Sequence, residues 1–475
     1  MAAGAMRVEK DSLGELEVPA EAYWGVQTQR AILNFPISGT PLPRAFIHAH
    51  VMLKKAAAEV NRELGLLEGR LADAIVRACE EVLADAQWSR DQFPVDVYQT
   101  GSGTSTNMNV NEVLASRANE ILGGQRGDKK PVHPNDHVNM GQSSNDSIPT
   151  SMQVMALLEI DGQLDPALGG LVDSLYAKAK ELWPIIKTGR THLQDATPIR
   201  LGQEFAGYNG QLGGILTSGL MEAARALRYL PIGGTAVGTG INSHPRFASR
   251  VCALLSEWTK TRPPFKESKN HFADQATLDA VVAAHGILKN LAVALTKICN
   301  DIRWMGSGPR AGLGEIELPA VQPGSSIMPG KVNPVICESV LMVCQRVIGN
   351  DAAMTAAGCG NNFELAMSIP LAALLLHESI TLLANACRNL ATQCIDGLRA
   401  TGRGPALVEQ GLMLATALAP AIGYDAAAAI AKEAAKTGRT IREVAREKTT
   451  LSDAQLADLL DPEKMVGDSR PDKDP

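Results

Sequence analysis

The sequence predicts an all-α protein built around a bundle of long helices, on three observations. Alanine and leucine are frequent while aromatic residues make up 4% of the 475 residues, a composition that favours helices over strands. Apolar residues recur at alternating spacings of three and four through the middle third of the chain. We find no strand–helix alternation of the kind that builds a doubly wound sheet, and no internal repeat of roughly 20–50 residues.

Three segments carry the strongest helical periodicity, and each needs a neighbouring helix to cover its apolar seam. Small residues such as Ala292 and Ala372 occupy other faces of these helices and allow neighbours to approach closely, which indicates a large bundle shared between subunits. The periodic positions are Leu164, Leu168, Leu171 and Leu175; Leu288, Leu291, Leu295, Ile298 and Ile302; and Ile336, Val340, Val343 and Val347.

The chain is longer than one hydrophobic core supports, so two or three domains are expected. We divide it near residues 141 and 396. Residues 1–141 form an N-terminal, mostly helical domain, 142–396 a central domain with the long helices, and 397–475 a small C-terminal helical domain.

Smaller elements are predicted at both ends of the chain. Extended pieces are expected near Leu16–Val18 and in the glycine-rich stretch 233–240. Asp425–Thr437 and Ile441–Glu447 are predicted to be short helices. The charged tail Gly467–Pro475 contains prolines and is expected to be disordered.

Charge and targeting signals exclude several classes of protein. The net charge is −6 with scattered Lys and Arg, so no nucleic-acid footprint is present. The first ten residues lack the apolar stretch of a signal peptide, and the densest apolar run, Leu371–Leu376, is too short to span a bilayer. We expect a cytoplasmic protein with no membrane association.

The eight cysteines contain no Cys-x-x-Cys pair and no Cys/His cluster at the spacing of a zinc or iron–sulfur site. Residues 337 and 344, like 387 and 394, lie seven apart and are predicted to share the buried face of a helix. His133 and His137 suggest a metal, but Pro134 interrupts the pair and no third ligand is evident. We therefore expect no metal and no cofactor.

Residues Gly324–Pro334 concentrate two hydroxyls, an ammonium and an amide on a backbone with two glycines and two prolines, a build that suits closing over an anion. From Gly306 to Pro334 there are six glycines and five prolines in 29 residues, which excludes a continuous helix or a central strand. Loops longer than about 12–15 residues are usually functional or disordered. An interdomain linker is the alternative, although apolar residues such as Ile316 and Ile327 indicate docking onto a surface.

Four segments combine hydroxyl and amide side chains with glycine between apolar helices. These groups and exposed backbone N–H donors are what a small carboxylate needs for recognition, so convergence of the segments would form an oxyanion site. The segments are Thr100–Asn109, His133–Asp136 with Gln142–Asp146, Gly189–Asp195, and Gly324–Pro334 with its extension to Glu338.

Each of these residues also has a structural explanation. Ser143 with Asn145 fits a helix N-cap. Glu338 lies in the first turn after Pro334, where the helix dipole favours a carboxylate whatever the function. His192 alone is typical of a structural histidine, and Lys331 alone of a solvated charge.

The joint pattern resembles the fumarase/aspartase superfamily over nearly the whole chain, and within it the class II, metal-independent fumarate hydratases. Gly324–Pro334 is the superfamily's signature loop, and a match of that kind is very specific. Besides the four segments, the resemblance rests on Asp11–Gly14, Tyr23–Thr28, Gly233–Asn242, Ser307–Pro309, Ile422–Tyr424 and Asp461–Met465.

Two positions separate the substrates within the superfamily. This chain has Thr191–His192 where aspartate ammonia-lyases carry Thr-Gln, and hydration needs a group that takes and returns a proton on water, which imidazole does and an amide does not. Thr100–Thr104 is likewise similar to fumarases. Aspartate ammonia-lyase or a related succinyl-amine lyase is the nearest alternative, and a non-catalytic helical scaffold is the remote one.

The resemblance implies reversible addition of water to fumarate, giving L-malate through an aci-carboxylate whose charge must be stabilised. It makes Ser325 the carbon base, supported by loop amides and Lys331 because a serine hydroxyl is a very weak acid. His192, polarised by Glu338, manages the proton of water. The residues implied to hold the substrate are Lys331 and Asn333 on one carboxylate, Ser326 as an assistant, and Ser102, Thr104, Ser143, Ser144, Asn145 and Thr191 as the rest of the carboxylate cradle.

The resemblance further implies an all-α homotetramer with a multi-helix core, whose active sites draw segments from three chains. His133, Asn135 and Asp136 match a secondary dicarboxylate site. Two residues depart from the family pattern. Lys130 stands where this second site often has Arg, which replaces a two-pronged donor by a point charge. Ala366 stands where fumarases usually have Asn.

Overall fold

The computed structural model describes residues 5–85 and 91–467, and these are predominantly helical, as predicted. The predicted disordered tail lies, beyond Gly467, outside the described residues. The α-helices are Val26–Asn34, Arg44–Glu63, Gly69–Ala84, Thr104–Ile121, Ser144–Glu159, Asp165–Glu181, Leu201–Gly214, Leu220–Leu227, Phe247–Thr259, His271–Ala276, Asp279–Met305, Val335–Cys359, Ile369–Leu390, Arg403–Val408, Ala419–Ile422, Tyr424–Thr437, Ile441–Lys448 and Asp453–Leu459. The π-helical turns are Pro134–Val138, Ile160–Leu164, Ile215–Gly219 and Ala391–Ile395, and the 3-10 turns are Leu412–Leu418 and Pro462–Met465.

Short two-stranded sheets accompany the helices in the described ranges. Three are antiparallel and the fourth is parallel. The pairs are Met6–Asp11 with Gly14–Pro19, Ile186–Thr191 with Gln194–Arg200, Ile316–Glu317 with Arg399–Ala400, and, in parallel, Tyr229–Leu230 with Lys266–Glu267.

The chain divides into two compact units assembled from segments distant in sequence. Unit 1 comprises the described residues of Met1–Pro166, Thr217–Asn290 and Gln345–Leu383. Unit 2 comprises those of Ala167–Leu216, Leu291–Cys344 and Ala384–Pro475. The three-part division near residues 141 and 396 stays a prediction.

Unit 1 is centred on the helices Arg44–Glu63, Gly69–Ala84, Thr104–Ile121 and Ser144–Glu159, which pack against one another. Apolar side chains such as Phe46 are fully buried between them. Polar side chains are buried there too, and 12 of the residues in Thr104–Ile121 are buried although its apolar face is weakly developed. This unusual polar interior lies beside the candidate site.

Two of the three predicted seams are confirmed residue by residue, since all their positions are fully buried. The third lies on the helix Val335–Cys359, but its buried stripe differs from the prediction by one position. Val340 and Val347 are buried, whereas Ile336 and Val343 are only half-buried. The buried stripe contains Cys337 and Cys344 instead of Ile336 and Val343.

The cysteine prediction is confirmed for both seven-apart pairs, whose four members are all buried. The sulfurs of Cys337 and Cys394 lie 3.9 Å apart. All eight cysteines carry free thiols, and Cys359 is exposed.

Two helical stretches, Asp279–Met305 and Ile369–Ile395, are long and apolar enough to cross a membrane by length and composition. Polar residues interrupt each helix, so neither contains one long, dense apolar run. Of their most apolar windows, 50% and 61% respectively is buried within the protein, as in the core helices of a bundle.

The extended piece at Leu16–Val18 is confirmed within the strand Gly14–Pro19, and the two predicted C-terminal helices are confirmed as Tyr424–Thr437 and Ile441–Lys448. The prediction for 233–240 was wrong, because this stretch forms turns. Gly233 has φ of 97°, and its N–H donates to a buried carboxylate instead of pairing with a strand.

Candidate functional site

Two of the polar segments meet in unit 1 at a cavity of about 380 Å³ whose lining includes Thr104, Ser143 and Ser144. The hydroxyl of Thr104 lies 2.8 Å from that of Ser144 and 2.9 Å from that of Ser102. Asn145 donates from Nδ2 to the carbonyl of Ala236, another lining residue, at 2.9 Å. Five of the predicted site residues are therefore clustered here.

Local sequence explains why these hydroxyls converge. Thr104 is the first residue of the helix Thr104–Ile121, and Ser143 is the N-cap of Ser144–Glu159. A Cβ at Gly103, whose φ is 73°, would lie 2.8 Å from Ile148, so glycine lets the two helix starts approach. Two helix N-termini thus border one cavity, and both favour an anion through their free N–H groups and dipoles.

The N-cap interpretation of Ser143 is confirmed, and a capping box with Asp146 completes it. Asp146 is fully buried and accepts N–H groups from Ser143, Gly233 and Thr235 at 2.9, 3.0 and 2.9 Å. Burial raises the pKa of this carboxyl to about 6, against the opposing effect of the three hydrogen bonds. Sequence reasoning assigned no role to Asp146, which holds a turn of residues 233–235 against the cavity.

A second cavity, of about 690 Å³, lies in unit 2 beside the end of the signature loop and is lined in part by Lys331, Asn333 and Glu338. The loop is pinched at its base, where Gly324 N–H donates to the Lys331 carbonyl at 2.8 Å and Asn333 Nδ2 donates to the Gly324 carbonyl at 2.7 Å. A Cβ at Gly324 would lie 2.5 Å from the Lys331 carbonyl oxygen, so this pinch requires glycine. Arg303 also lines the cavity and was not found from the sequence.

Ser325 has a distinctive environment within this loop. Its Oγ accepts backbone N–H groups from Ile327 at 3.2 Å and from Met328 at 2.9 Å. Two N–H donors aimed at one oxygen stabilise negative charge on it. Ser326 and Lys331 are exposed on the same loop. The absence of helix and central strand predicted for 306–334 is confirmed, apart from the two-residue strand Ile316–Glu317.

Thr191 and His192 lie on a hairpin of unit 2 that the sequence did not reveal. Thr191 ends the strand Ile186–Thr191, and His192 and Leu193 form its two-residue turn with φ of 55° and 59°. Such a turn usually contains Asn-Gly, and non-glycine residues in this conformation are strained. Strain of this kind clusters at functional sites.

The hairpin is anchored by a buried ion network. Arg190 donates two hydrogen bonds to the carboxylate of Glu315, at 2.8 and 3.0 Å. Lys187 lies 2.9 Å from Glu315 and 2.9 Å from Glu204. Because Arg190 immediately precedes Thr191, this network fixes the base of the turn that carries His192.

Within one chain, the predicted site residues form separate clusters and do not all meet in one cavity. Lys331, Asn333 and Glu338 share the cavity in unit 2. His192 is exposed and is not among the residues that line that cavity, and no hydrogen bond in the described ranges 5–85 and 91–467 joins it to Glu338.

A third cavity, of about 490 Å³, lies in unit 1 beside the predicted secondary site and is lined in part by Arg30, Lys129, His133 and Asn135. The exposed Lys130 is not among its lining residues, and its neighbour Lys129 is. Arg30 is paired with Asp11, at 2.8 Å. Arg30, which sequence reasoning missed, lies two residues after the Tyr23–Thr28 motif, whereas no motif adjoins Lys129.

His133 has a structural function in this region. Its Nδ1 accepts the N–H groups of Asn135 and Asp136, each at 3.3 Å, and caps the π-helical turn Pro134–Val138. His137 Nδ1 accepts the N–H of His133 at 2.8 Å. Over the described part of the chain, no group of three His, Cys, Asp or Glu side chains is arranged to hold a metal ion.

Ala366 is fully buried behind the first cavity. Its N–H donates to the carbonyl of Gln275 at 3.1 Å, and Gln275 Nε2 donates to the carbonyls of Thr235 and Ala236. The Gln275 Oε1 atom is buried without a partner in the described structure. Nothing in the structure explains why alanine stands at position 366.

Known proteins resemble this chain over nearly its whole length. A family model described as Lyase matches residues 14–349, and one described as Fumarase C C-terminus matches residues 414–467. The protein named fumarate hydratase class II 2 from Bradyrhizobium diazoefficiens is 51% identical over 463 residues, which cover 97% of each chain.

Two solved structures share the fold over nearly the whole chain. The crystal structure of recombinant class II fumarase from Schistosoma mansoni has a TM-score of 0.94 at 39% identity and covers 97% of this chain and 99% of its own. That of fumarate lyase:delta crystallin from Brucella melitensis bound to cobalt has a TM-score of 0.92 at 46% identity, covering 98% and 100%. On this similarity, the chain belongs to the fumarase/aspartase superfamily, as a member of the class II fumarate hydratase family.

Proposed function

We propose that this protein catalyses the reversible hydration of fumarate to L-malate, a lyase reaction of the tricarboxylic acid cycle. Its relatives at about 50% identity are named class II fumarate hydratases. The observation in the structure that carries the proposal is the pair of N–H groups from Ile327 and Met328 on the Ser325 oxygen, at 3.2 and 2.9 Å.

In the direction from malate, a base removes a proton from the carbon next to one carboxylate. The electron pair moves into that carboxylate and makes it a doubly charged aci-carboxylate. The hydroxyl on the neighbouring carbon then takes a proton and leaves as water, and the double bond of fumarate forms. Stabilising the doubly charged intermediate is the main catalytic demand.

Ser325 is proposed as the carbon base. A serine hydroxyl is a very weak acid, so its alkoxide must be stabilised by surrounding donors and cations. The N–H groups of Ile327 and Met328 supply the donors, and Lys331 of the same loop supplies a positive charge.

Lys331 and Asn333 are proposed to hold the carboxylate on which the charge develops, with Ser326 assisting. Both line the cavity of unit 2 together with Glu338. Glu338 is proposed to polarise His192, which manages the proton of the departing or attacking water. The backbone strain at His192 is of the kind found at functional positions.

The hydroxyl cavity of unit 1 is proposed to bind a carboxylate through donors with fixed directions. Two helix N-termini border it, so its field favours an anion. The proposed donors in this cavity are Ser102, Thr104, Ser143, Ser144 and Asn145. Thr191 of the hairpin is proposed as a further carboxylate donor of the assembled active site.

We infer a homotetramer in which each active site draws segments from three chains, acting in the cytoplasm without a metal. The separation of His192 from the Glu338 cavity within one chain supports shared sites. Val293 and Met342 on the long helices are 53% and 64% exposed in one chain, which supports burial of those helices between subunits. The secondary dicarboxylate site at Lys130, His133, Asn135 and Asp136 and the three-domain division at residues 141 and 396 also remain proposals.

The ultraviolet absorbance of the fumarate double bond tests the function directly. Purified protein given malate should raise this absorbance, aspartate should leave it unchanged, and EDTA should leave the rate unchanged. Fumarate produced from aspartate alone would establish an ammonia-lyase. No product from either substrate would favour a non-catalytic scaffold, and loss of the rate in EDTA would overturn metal independence.

A further inference from the structure

A lysine is buried directly behind the hydroxyl cavity of unit 1. Lys54 lies on the helix Arg44–Glu63, and its side chain is fully inaccessible to solvent. Lysine is almost never fully buried unless its ammonium is paired or hydrogen-bonded. Its position therefore calls for an explanation beyond the packing of helices.

The ammonium of Lys54 donates three hydrogen bonds, all to side-chain amides. The acceptors are Asn107 Oδ1 at 2.8 Å, Asn139 Oδ1 at 2.9 Å and Gln142 Oε1 at 3.0 Å. All three amides line the cavity that Thr104 and Ser144 also line. The positive charge thus lies one layer behind the cavity wall.

These hydrogen bonds determine how the amides are oriented. An ammonium has donors and no acceptor, so each amide oxygen must face Lys54. The amide nitrogens then tie down the backbone beside the N-cap: Asn139 Nδ2 donates to the Gln142 carbonyl, and Gln142 Nε2 donates to the Val138 and Met140 carbonyls. Through Asn139 and Gln142, the Lys54 side chain therefore fixes the segment that leads into Ser143.

We propose that Lys54 is a positioning residue of the dicarboxylate site: it orients Asn107, Asn139 and Gln142 and supplies a positive charge behind the hydroxyl cradle. The inference rests on the proposed function, because it assigns a dicarboxylate to this cavity. Lys54 does not touch the substrate; it acts through the amides and through its field, which a low-dielectric interior screens weakly.

The charge on Lys54 also couples binding to pH. Burial lowers the pKa of Lys54 to about 7, so the ammonium is partly deprotonated near neutral pH. The ionisable groups that act on it are Asp146 and Cys79, from two of the helices packed against its own, and His50 on the same helix. A dianion entering the cavity favours the protonated form, so binding should take up a proton.

At pH 8 this uptake should come from Lys54. The pKa of Asp146 is raised only to about 6, so this carboxyl is ionised at pH 8, while burial lowers the pKa of His50 and keeps it neutral. The thiol of Cys79 has its pKa raised by burial and stays protonated.

The test compares Lys54→Met with Lys55→Met, a matched change of charge one residue along the same helix. Lys55 pairs with Glu80 at 2.9 Å and lies outside the cavity lining. We expect Lys54→Met to raise KM for fumarate at least about tenfold with a smaller effect on kcat, Lys54→Arg to restore part of this loss, and Lys55→Met to change both constants less than about twofold.

Calorimetry with succinate, a dicarboxylate that can be neither hydrated nor dehydrated, measures the proton uptake in two buffers of different ionisation enthalpy. At pH 8, where Asp146 is fully ionised, the unaltered protein and Lys55→Met should take up a proton and Lys54→Met should take up none. If Lys54→Met fails to fold, the measurement on the unaltered protein still decides, because no uptake at pH 8 would overturn the inference.

The two proposals fail differently. An unaltered protein that does not interconvert fumarate and malate contradicts the proposed function. An active protein in which Lys54→Met matches Lys55→Met in KM and in proton uptake contradicts the role of Lys54 alone.

Discussion

Replacing Glu315 by Gln tests whether the buried ion network positions the hairpin that carries Thr191 and His192. The Glu315 side chain is 1% exposed and that of Lys187 is 2% exposed. Glutamine keeps the shape of the side chain, but it removes the charge and places an amide N–H₂ opposite the donors of Lys187 and Arg190.

The expected loss of unfolding free energy depends on which ion-pair partners Lys187 and Arg190 retain in the variant. Breaking a buried ion pair by removing one partner costs about 3–5 kcal/mol. Lys187 retains Glu204 at 2.9 Å, so its charge stays paired, whereas Arg190 loses a two-pronged partner. We therefore expect the lower end, a loss of about 3 kcal/mol in the free energy of unfolding, together with a fall of kcat of up to about a hundredfold from misplacement of the turn.

Urea unfolding at fixed protein concentration and the fumarate absorbance assay measure the two effects. Glu463→Gln is the matched control, because Glu463 pairs with Arg200 in the same unit but is 60% exposed, and we expect it to cost less than about 1 kcal/mol. Equal unfolding free energies for the two variants would refute the assignment of Glu315 as a buried anchor. An unchanged kcat in a destabilised Glu315→Gln would refute its link to the turn.

Three further predictions address the site. Ser325→Ala should lower kcat about a hundred- to ten-thousandfold with little change in KM, as expected for loss of a proton-transfer group, and should exceed the effect of Ser326→Ala in the same steady-state assay. A Ser325→Ala chain reassembled with a His192→Ala chain should regain part of the activity, and no rescue despite proven subunit exchange would count against shared sites. The pKa of Asp146 is about 6 in the folded protein against its ordinary value of 3.8, so the stability it contributes is fully present below pH 3.8 and is lost as pH rises through 6. Between pH 4 and 7, the unfolding free energy of Asp146→Asn should therefore rise by about 2 kcal/mol relative to that of the unaltered protein, and parallel pH curves for the two would contradict the raised pKa.

Long apolar repeats predicted helices well, because a stripe at spacings of three and four can be buried in the same way along a whole helix. Leu288, Leu291 and Leu295 are fully buried in the helix Asp279–Met305. The hairpin of Ile186–Thr191 and Gln194–Arg200 was missed because its short strands carry charged residues in place of apolar alternation. Its charges are satisfied by Glu315, more than a hundred residues away.

In the candidate site, too, some features were predicted from the sequence and others were missed. Glycine and proline marked the signature loop, since these residues exclude helix and central strand, and the structure confirms the loop. Lys54 escaped notice because a lysine on a helix is ordinarily solvated. The available signal was its spacing, since it falls on the buried stripe with Ile47, Val51 and Ala58.

By itself, the sequence determined the helical class, the long helices, the irregular loop and the family, because periodicity, backbone restriction and motif spacing are local properties of the chain. The tertiary structure alone decided that Asp146 would hold residues 233–235, that Glu315 would anchor the hairpin, and that Lys54 would lie behind the hydroxyl cavity. These roles depend on burial and on partners far away in the chain. The sequence alone does not show whether a charged side chain will be solvated or buried. Its free energy is set by the groups that surround it after folding.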